Sequence, residues 1–339
     1  AALVAKIERA EAIENLTEIV DASDVVMVAR GDLGVEIGDA ELPGLQKKII
    51  REAVAREKVV ITATQMLQSM VDSPIPTRAE VLDVANAVID GTDAVMLSAE
   101  TAAGAWPVKA VEAMARICLG AERQFQTEID FSKARRNLER ADQAIAMATM
   151  FLSEHIGVRA IVAMTESGGT ARYLSRFRSS APIYAFSRHD GARRRMAMIR
   201  DVFPIAFDSR GLAPREAARD ALRILRDMSR LVPADRVIFT SGDHMERHGA
   251  TNTLRLLQIG DDVAMRQHRA LGNAGRPARV LQEGEVFPRD GYLVHAMAPA
   301  GSTVGSNRAW ARRLRTAVTR QKPATVSVGT LARRRDTTE

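Results

Sequence analysis

A lysine and a carboxylate lie two residues apart near the start of the chain, in the run Lys6-Ile7-Glu8. Residues two apart in an extended strand leave the same face of the strand. Asp32 follows the next apolar run and brings a second carboxylate to a neighbouring strand end. Two hard oxygen ligands, with room for water and substrate phosphates, are a usual way of holding Mg²⁺. A lysine beside them can neutralise charge on a transferring phosphoryl group or an enolate oxygen. The alternative is a structural role, in which Lys6 only forms an ion pair with Glu8 at the rim and the chemistry lies elsewhere. The same spacing fits this alternative.

Two further segments carry groups suited to binding an anion or a substrate. Gly31 and Gly34 flank Asp32, and a helix starting there would aim free N–H groups at an anion. A simple turn between a strand and a helix explains this pattern equally well. Thr64 ends a third apolar run with a hydroxyl that could hydrogen-bond a substrate or a water molecule, although threonine in a strand is often only a good β-former.

The segment 164–170, Met-Thr-Glu-Ser-Gly-Gly-Thr, follows another apolar run. Small hydroxyl residues and glycine at the start of a helix form a phosphate cradle, because free N–H groups and the helix dipole both favour an anion. The alternative is an ordinary Ser or Thr N-cap. Residues 241–243 and 249–252 are expected to form the opposite wall of this cradle.

These residues follow short apolar runs that alternate with longer stretches of helical period. The predicted strands in the first part of the chain are Leu3–Ile7, Val25–Ala29, Val59–Ala63 and Ala94–Leu97, all buried on both faces. About four β-α repeats with right-handed crossovers predict a parallel sheet. Polar residues follow every strand, and the carboxyl ends of the strands form the active face of a parallel barrel.

A second α/β region follows a predicted linker at residues 119–140. It contains a helix at Ala141–His155 and strands at Ala160–Met164, Pro182–Phe186, Phe203–Phe207 and Val237–Thr240. From Asp261 onward no period is sustained, and we expect an irregular basic tail. The domains are therefore predicted at 1–118, 141–260 and, without an assigned fold, 261–339.

Composition narrows the class of protein. The chain of 339 residues is 46% hydrophobic with a formal net charge of +6, which excludes a disordered chain. The excess of positive charge lies in the tail, which holds 14 Lys+Arg and 7 Asp+Glu, so nucleic-acid binding is not expected. The lone Cys118 excludes a disulfide framework. No apolar run is long enough for a membrane helix and no signal peptide is recognised, so we expect no membrane partner and a cytoplasmic location.

Five segments, taken in order, resemble successive motifs of the pyruvate kinase family. They are Lys6-Ile7-Glu8-Arg9, Ala29-Arg30-Gly31-Asp32-Leu33-Gly34-Val35-Glu36, Ala63-Thr64-Gln65-Met66-Leu67, Pro76-Thr77-Arg78-Ala79-Glu80 and Asp90-Gly91-Thr92-Asp93-Ala94-Val95-Met96-Leu97-Ser98. The resemblance covers residues 1 to about 259 and is strongest to the bacterial form that phosphorylated sugars activate.

The resemblance implies a role for each matching residue. Lys6 stabilises the phosphoryl group and the enolate during transfer from phosphoenolpyruvate to ADP. Glu8 and Asp32 hold Mg²⁺ or Mn²⁺, and the backbone at Gly31 and Asp32 receives the substrate carboxylate. Thr64 is implicated in protonating the enolate. Ser98 and Glu100 close the barrel near the site, and the loop containing Thr165, Ser167, Gly168, Gly169 and Thr170 grips the phosphate of a sugar-phosphate effector.

The resemblance also implies the fold class. It is α/β, with the second half of a TIM barrel followed by a three-layer α/β regulatory domain. Only the last four of the eight β-α units are expected here, so the K⁺ ligands of the family, the phosphate clamp and the lid lie outside this sequence. We therefore expect the isolated chain to be impaired in activity or inactive, and to form a homo-oligomer.

Three functions fit these observations. The first is a pyruvate kinase with ADP/ATP and phosphoenolpyruvate as substrates, working in glycolysis. The second is a non-catalytic module that binds a sugar phosphate or supports oligomerisation. The third is a different phosphoenolpyruvate or pyruvate barrel enzyme, such as an aldolase, which shares the metal carboxylates but not the region after residue 140.

Overall fold

The computed structural model describes residues 2–123, 138, 140–177, 180–243 and 249–260, together with the backbone of two strands at 293–297 and 325–329. Within these residues the chain divides into two compact units. The first unit contains the elements up to Arg123 and the two late strands, and the second contains the elements from Ala141 to Gln258.

The first unit is a repeated β-α pattern. Its strands are β1 (Val4–Ile7), β2 (Val25–Ala29), β3 (Val59–Ala63) and β4 (Ala94–Leu97). Its helices are α1 (Ala10–Glu14), α2 (Leu16–Ala22), α3 (Arg30–Ile37), α4 (Leu42–Ala55), α5 (Arg78–Asp90), α6 (Ala99–Ala102) and α7 (Pro107–Arg123), with a 3₁₀ turn at Gln68–Val71. All strand pairs are parallel and β1 to β4 lie in chain order, as successive units of a β-α barrel do.

Burial separates the edge strand from the central ones. β3 is buried at every position and β2 at all but one, as the continuous apolar runs predict. The prediction is wrong for β1, where Val4 is 45% exposed and only Ile7 is buried. Within the described residues β1 pairs with β2 alone, so its other edge is open.

The helices cover the sheet with two apolar clusters. One packs α2, α3 and α4 against β1 and β2 through residues such as Val20, Val28 and Ile49. The other packs α5 and α7 against β4 through residues such as Val88 and Met114. Each helix packs on the sheet through its buried apolar face. This packing holds the strands in place, and with them the polar residues at the strand ends.

The second unit contains a sheet of mixed direction. Its elements are α8 (Ala141–Ile156), β5 (Ala160–Met164), α9 (Gly169–Ser175), β6 (Ile183–Ser187), α10 (Asp190–Met196), β7 (Val202–Ala206), α11 (Pro214–Asp227), β8 (Arg236–Ser241) and β9 (Thr253–Gln258). The strand order is β7-β6-β5-β8-β9, with only β9 antiparallel. The order reverses direction between β5 and β8, and ligands commonly bind outside such a switch point.

Two predicted boundaries differ from the structure. Helix α7 runs to Arg123, so it includes the first residues of the predicted linker 119–140, most of which lies outside the described residues. The segment 261–339, predicted to be irregular, contains two strands, β10 (Leu293–Met297) and β11 (Thr325–Gly329). They continue the first sheet in parallel, β10 beside β4 and β11 beside β10. The remainder of that segment lies outside the described residues.

Candidate functional site

Lys6 lies at the end of β1 between two carboxylates. Its Nζ is 3.2 Å from Oδ2 of Asp32 and forms a closer ion pair with Glu8. The hydrogen bond to Glu8 raises the pKa of Lys6; burial opposes this rise, and the bond to Asp32 adds to it. The three side chains remain partly exposed, so a ligand can reach them from solvent. The structure therefore brings together the cation and both carboxylates that the sequence predicted to share one rim.

Asp32 reaches this position because α3 begins directly after β2. Arg30 is the first residue of the helix, and Asp32 lies in its first turn, where a carboxylate interacts favourably with the helix dipole. The N–H of Gly31 donates to Oγ1 of Thr64 at 2.8 Å. A substrate carboxylate that bound the N–H of Gly31, as predicted, would therefore share this donor with the Thr64 hydroxyl.

Thr64 directly follows β3 and has a backbone conformation that residues other than glycine rarely adopt. Its φ is +69°, and that of Gln65 is +51°. Left-handed backbone at such residues costs on the order of 1–3 kcal/mol each and persists only where its surroundings hold it. The hydroxyl of Thr64 donates to the carbonyl of Ala63 at 2.6 Å and accepts from Gly31. The sequence predicted the position of Thr64 in the site, but no signal in it indicated this turn.

Arg30 is the residue of this region whose position the sequence did not indicate. The sequence placed it with the polar groups at the strand ends, yet it is only 5% exposed. Its guanidinium binds both carboxylate oxygens of Asp83, at 2.6 and 2.7 Å, and the carbonyls of Thr64 and Gln65. Asp83 lies on α5, fifty-three residues along the chain, a separation that no local pattern reports.

Ser98 and Glu100 lie at the end of β4, where the sequence placed them. Glu100 is 1% exposed and accepts hydrogen bonds from the N–H groups of Leu67 and Ser98, at 3.1 and 2.8 Å. These bonds join the loop after β3 to the loop after β4. Both carboxylate oxygens therefore bind the protein backbone, which makes Glu100 a structural residue of the rim.

The rim offers donors that suit a divalent cation. Glu8 and Asp32 supply two carboxylates that both pair with the Lys6 ammonium and so lie near each other, which fits Mg²⁺ or Mn²⁺ when substrate and water complete the shell. Among the described residues no group of three or more His, Cys, Asp or Glu side chains converges in this way. Within the described part of the chain, a metal at this rim would therefore complete its shell with substrate and water.

The second unit contains a polar pocket at its switch point. The pocket has a volume of about 350 Å³ and is lined by the loop after β5, by the start of α9 and by the segments after β8 and before β9. It includes Thr165, Ser167, Gly169 and Thr170 of the predicted effector loop. Gly242 and Thr251 belong to its far wall, as expected, and Oγ1 of Thr170 is 2.7 Å from Oγ1 of Thr251.

The pocket loop is held without an N-cap side chain. Gly168, the N-cap of α9, has φ +93° and no side-chain hydrogen bond, so the alternative of a Ser or Thr N-cap does not apply. The hydroxyl of Thr165 instead accepts from the N–H of Gly168 at 3.0 Å. Glu166 is almost fully buried and pairs with Arg188 and His189 of the loop after β6. The hydrogen bond to Thr165 and the ion pairs of Glu166 therefore hold the loop conformation.

No helix in the described part of the chain has the length and apolar character required to span a membrane.

Comparison with known proteins finds the same family for both units. The family model for the pyruvate kinase barrel domain matches residues 1–111, and that for the pyruvate kinase alpha/beta domain matches residues 143–257. The chain is 52% identical to pyruvate kinase II of Salmonella typhimurium over 265 residues, covering 76% of this chain and 55% of that protein. It is 46% identical to a pyruvate kinase of Haemophilus influenzae, covering 75% and 53%. The chain thus spans about half the length of the curated relatives it matches.

Proposed function

Because the chain belongs to the pyruvate kinase family, we propose that the rim of the first unit serves phosphoryl transfer from phosphoenolpyruvate to ADP. The observation that carries this proposal is the position of the Lys6 ammonium between the carboxylates of Glu8 and Asp32, with the Thr64 hydroxyl bound to Gly31, the residue before Asp32. The products are pyruvate and ATP. The location in the cytoplasm stays a prediction from the sequence.

Each rim residue has one task in this proposal. Glu8 and Asp32 hold Mg²⁺ or Mn²⁺, which supplies positive charge to the phosphate oxygens of the substrate when bound. The fixed charge of Lys6 balances the negative charge that builds up on the phosphoryl group during transfer and then on the enolate oxygen. When the bond between phosphorus and the enol oxygen breaks, the phosphoryl group passes to ADP. The methylene carbon of the enolate then takes a proton, on the side where Thr64 lies, and becomes the methyl group of pyruvate.

A coupled assay of pyruvate formation tests this proposal on the whole 339-residue chain. Lys6→Met is expected to lower turnover by about 10³-fold, because a fixed cation on the transferring group is worth that order of magnitude. Lys48→Met, which removes an exposed lysine of α4, is the matched control and should retain turnover. Equal and measurable turnover in the two variants would contradict the assignment of Lys6, and no turnover in the parent chain would contradict the proposed reaction for this chain.

The second candidate function is binding of a sugar phosphate in the pocket of the second unit. It is favoured by the hydroxyls of Thr165, Ser167 and Thr170, which line one polar pocket at the switch point of the sheet. This function does not require turnover, so it also covers the non-catalytic alternative. Calorimetric titration with a sugar phosphate, with the same sugar lacking phosphate as control, tests it. Binding of both sugars with equal affinity would contradict phosphate recognition.

Self-association is a third part of the proposal. Three apolar side chains of the first unit, Val35, Ile75 and Leu82, are 66% to 87% exposed. Exposed apolar side chains favour association with another protein surface where they adjoin one another in a patch, so the homo-oligomer requires that these three side chains share one surface. Analytical ultracentrifugation should show an oligomer that Leu82→Glu weakens. A monomer at all concentrations would refute the homo-oligomer.

A further inference from the structure

Arg30 is a buried cation whose donors go to the turn that carries Thr64. Nη2 donates to the carbonyl of Thr64 at 2.8 Å and to that of Gln65 at 3.1 Å, and Nε lies 3.3 Å from the carbonyl of Thr64. Nη1 binds both carboxylate oxygens of Asp83 and reaches Gln46 at 3.5 Å. Asp83 therefore balances the charge of Arg30 at Nη1. The other two nitrogens, Nη2 and Nε, hold the backbone carbonyls of the turn.

The turn needs such a partner. Thr64 and Gln65 are consecutive non-glycine residues with positive φ, a conformation that their surroundings must impose. Their two carbonyls point towards the interior, where an unpaired carbonyl would carry a desolvation cost. Arg30 satisfies both carbonyls with a single rigid guanidinium, which at the same time binds both carboxylate oxygens of Asp83.

Arg30 and its neighbour hold Thr64 from two directions. The side chain of Arg30 binds the carbonyl of Thr64, and the N–H of Gly31 donates to the hydroxyl of the same residue. Because Arg30 and Gly31 are the first residues of α3, the helix that presents Asp32 also fixes the Thr64 hydroxyl. The metal carboxylate and the hydroxyl beside it are therefore set by one rigid element.

We infer that Arg30 is a positioning residue that, braced by Asp83, holds the hydroxyl of Thr64 at the rim in the orientation required for the proposed reaction. The inference rests on the proposed function, because it concerns the group placed next to the enolate. Arg30 itself is enclosed by the protein and is not a catalytic residue.

Amide hydrogen exchange, followed by NMR on the whole chain, tests the positioning directly. Thr64→Val removes the hydroxyl that accepts from the N–H of Gly31. This variant therefore gives the reference exchange rate of that N–H without its acceptor. Arg30→Met is expected to accelerate that N–H to a similar extent, about 10-fold, which is the value of one net hydrogen bond. Its side chain does not touch the N–H of Gly31, so the effect must pass through the turn. Arg51→Met, at an exposed arginine of α4, is the matched control and should leave the rate unchanged.

Two results would overturn the inference. An unchanged rate at Gly31 in Arg30→Met would show that the turn holds Thr64 without Arg30. A uniform acceleration that also includes the N–H groups of Val60 and Ile61 in the centre of β3 would show that Arg30 stabilises the fold as a whole. Acceleration confined to Gly31 and the turn supports the inference.

Kinetics separate this inference from the proposed function. If the chain forms pyruvate, Arg30→Met should lower kcat by about 10-fold or more and leave the KM for phosphoenolpyruvate unchanged, because the metal carboxylates stay in place. A raised KM with unchanged kcat would overturn the inference. If the chain forms no pyruvate, the proposed function fails, while the exchange rate at Gly31 still decides whether Arg30 positions Thr64.

Discussion

Replacing each of two adjacent glycines in the pocket loop should have opposite effects on stability. Gly168 has φ +93°, and a Cβ added there would lie 2.6 Å from Cγ and 3.0 Å from Sδ of Met196. Left-handed backbone costs an alanine roughly 1–2 kcal/mol, and forcing a methyl group into a packed region costs about 1–3 kcal/mol. Gly168→Ala should therefore lower the free energy of unfolding by about 2–5 kcal/mol.

The neighbouring position differs in both respects. A Cβ at Gly169 would meet only Oγ of Ser167, at 3.6 Å, which is ordinary contact, and its φ is not in the left-handed region. Gly169 is the first residue of α9, where alanine suits the helix better than glycine by up to about 1 kcal/mol. Gly169→Ala should leave stability unchanged or slightly raised.

Urea unfolding followed by circular dichroism measures both variants against the parent chain. The pocket hydroxyls stay in place in Gly169→Ala, so sugar-phosphate affinity should also be retained there and be lost in Gly168→Ala. A loss below about 0.5 kcal/mol for Gly168→Ala, the usual size of an uninformative surface change, would refute the argument from backbone conformation. So would equal losses in the two variants.

Three further predictions follow from side-chain contacts. Lys6→Met should tighten Mn²⁺ binding at the two rim carboxylates by about 30-fold, because a single positive charge some 4 Å from a doubly charged ion costs roughly 2 kcal/mol even in bulk water; electron paramagnetic resonance measures the free ion. Thr77→Ala should lower the free energy of unfolding by about 1 kcal/mol, because Thr77 and Glu80 form a capping box at the start of α5; urea unfolding measures it. The hydrogen bonds from Arg210, against a smaller opposing effect of burial, lower the pKa of Asp208 to about 2. Asp208→Asn should therefore lower stability at pH 6, and lower it progressively less as the pH falls from about 4 to 2. Thermal unfolding across this pH range tests the sign of the effect.

A specific result would contradict each of these predictions. Weaker Mn²⁺ binding in Lys6→Met than in the control Lys48→Met would show that the ammonium supports the metal site. An unchanged unfolding free energy in Thr77→Ala would mean that the capping box contributes nothing to α5. A cost of Asp208→Asn that grew towards pH 2 would contradict the lowered pKa, since a paired carboxylate loses its contribution as it takes up a proton.

The sequence predicted the central strands and the rim well, for a physical reason. Strands such as β2 and β3 are buried on both faces, and that burial leaves a continuous apolar run which is readable without the fold. The rim residues follow those runs, so parallel pairing alone brings Lys6 and Asp32 to one edge. The pocket loop was predictable in the same way, from its position after β5.

What the sequence did not predict depends on contacts between distant residues. An arginine after a strand is expected to face solvent, and the burial of Arg30 follows from Asp83 on a helix that folds back over it. The left-handed turn at Thr64 follows from the same contacts. The exposure of β1 reflects the pairing of the sheet rather than its composition. β11 does alternate polar and apolar residues over Thr325–Gly329, a signal of a strand that the prediction of an irregular tail missed.

We propose that Glu8 and Asp32, which flank the Lys6 ammonium at one rim, bind a single divalent cation. Titration of the whole chain with Mn²⁺, with and without phosphoenolpyruvate, tests it by electron paramagnetic resonance. One bound ion is expected, lost in both Glu8→Gln and Asp32→Asn and kept in Asp39→Asn, which changes an exposed acid after α3. Equal Mn²⁺ affinity in all three variants would contradict it.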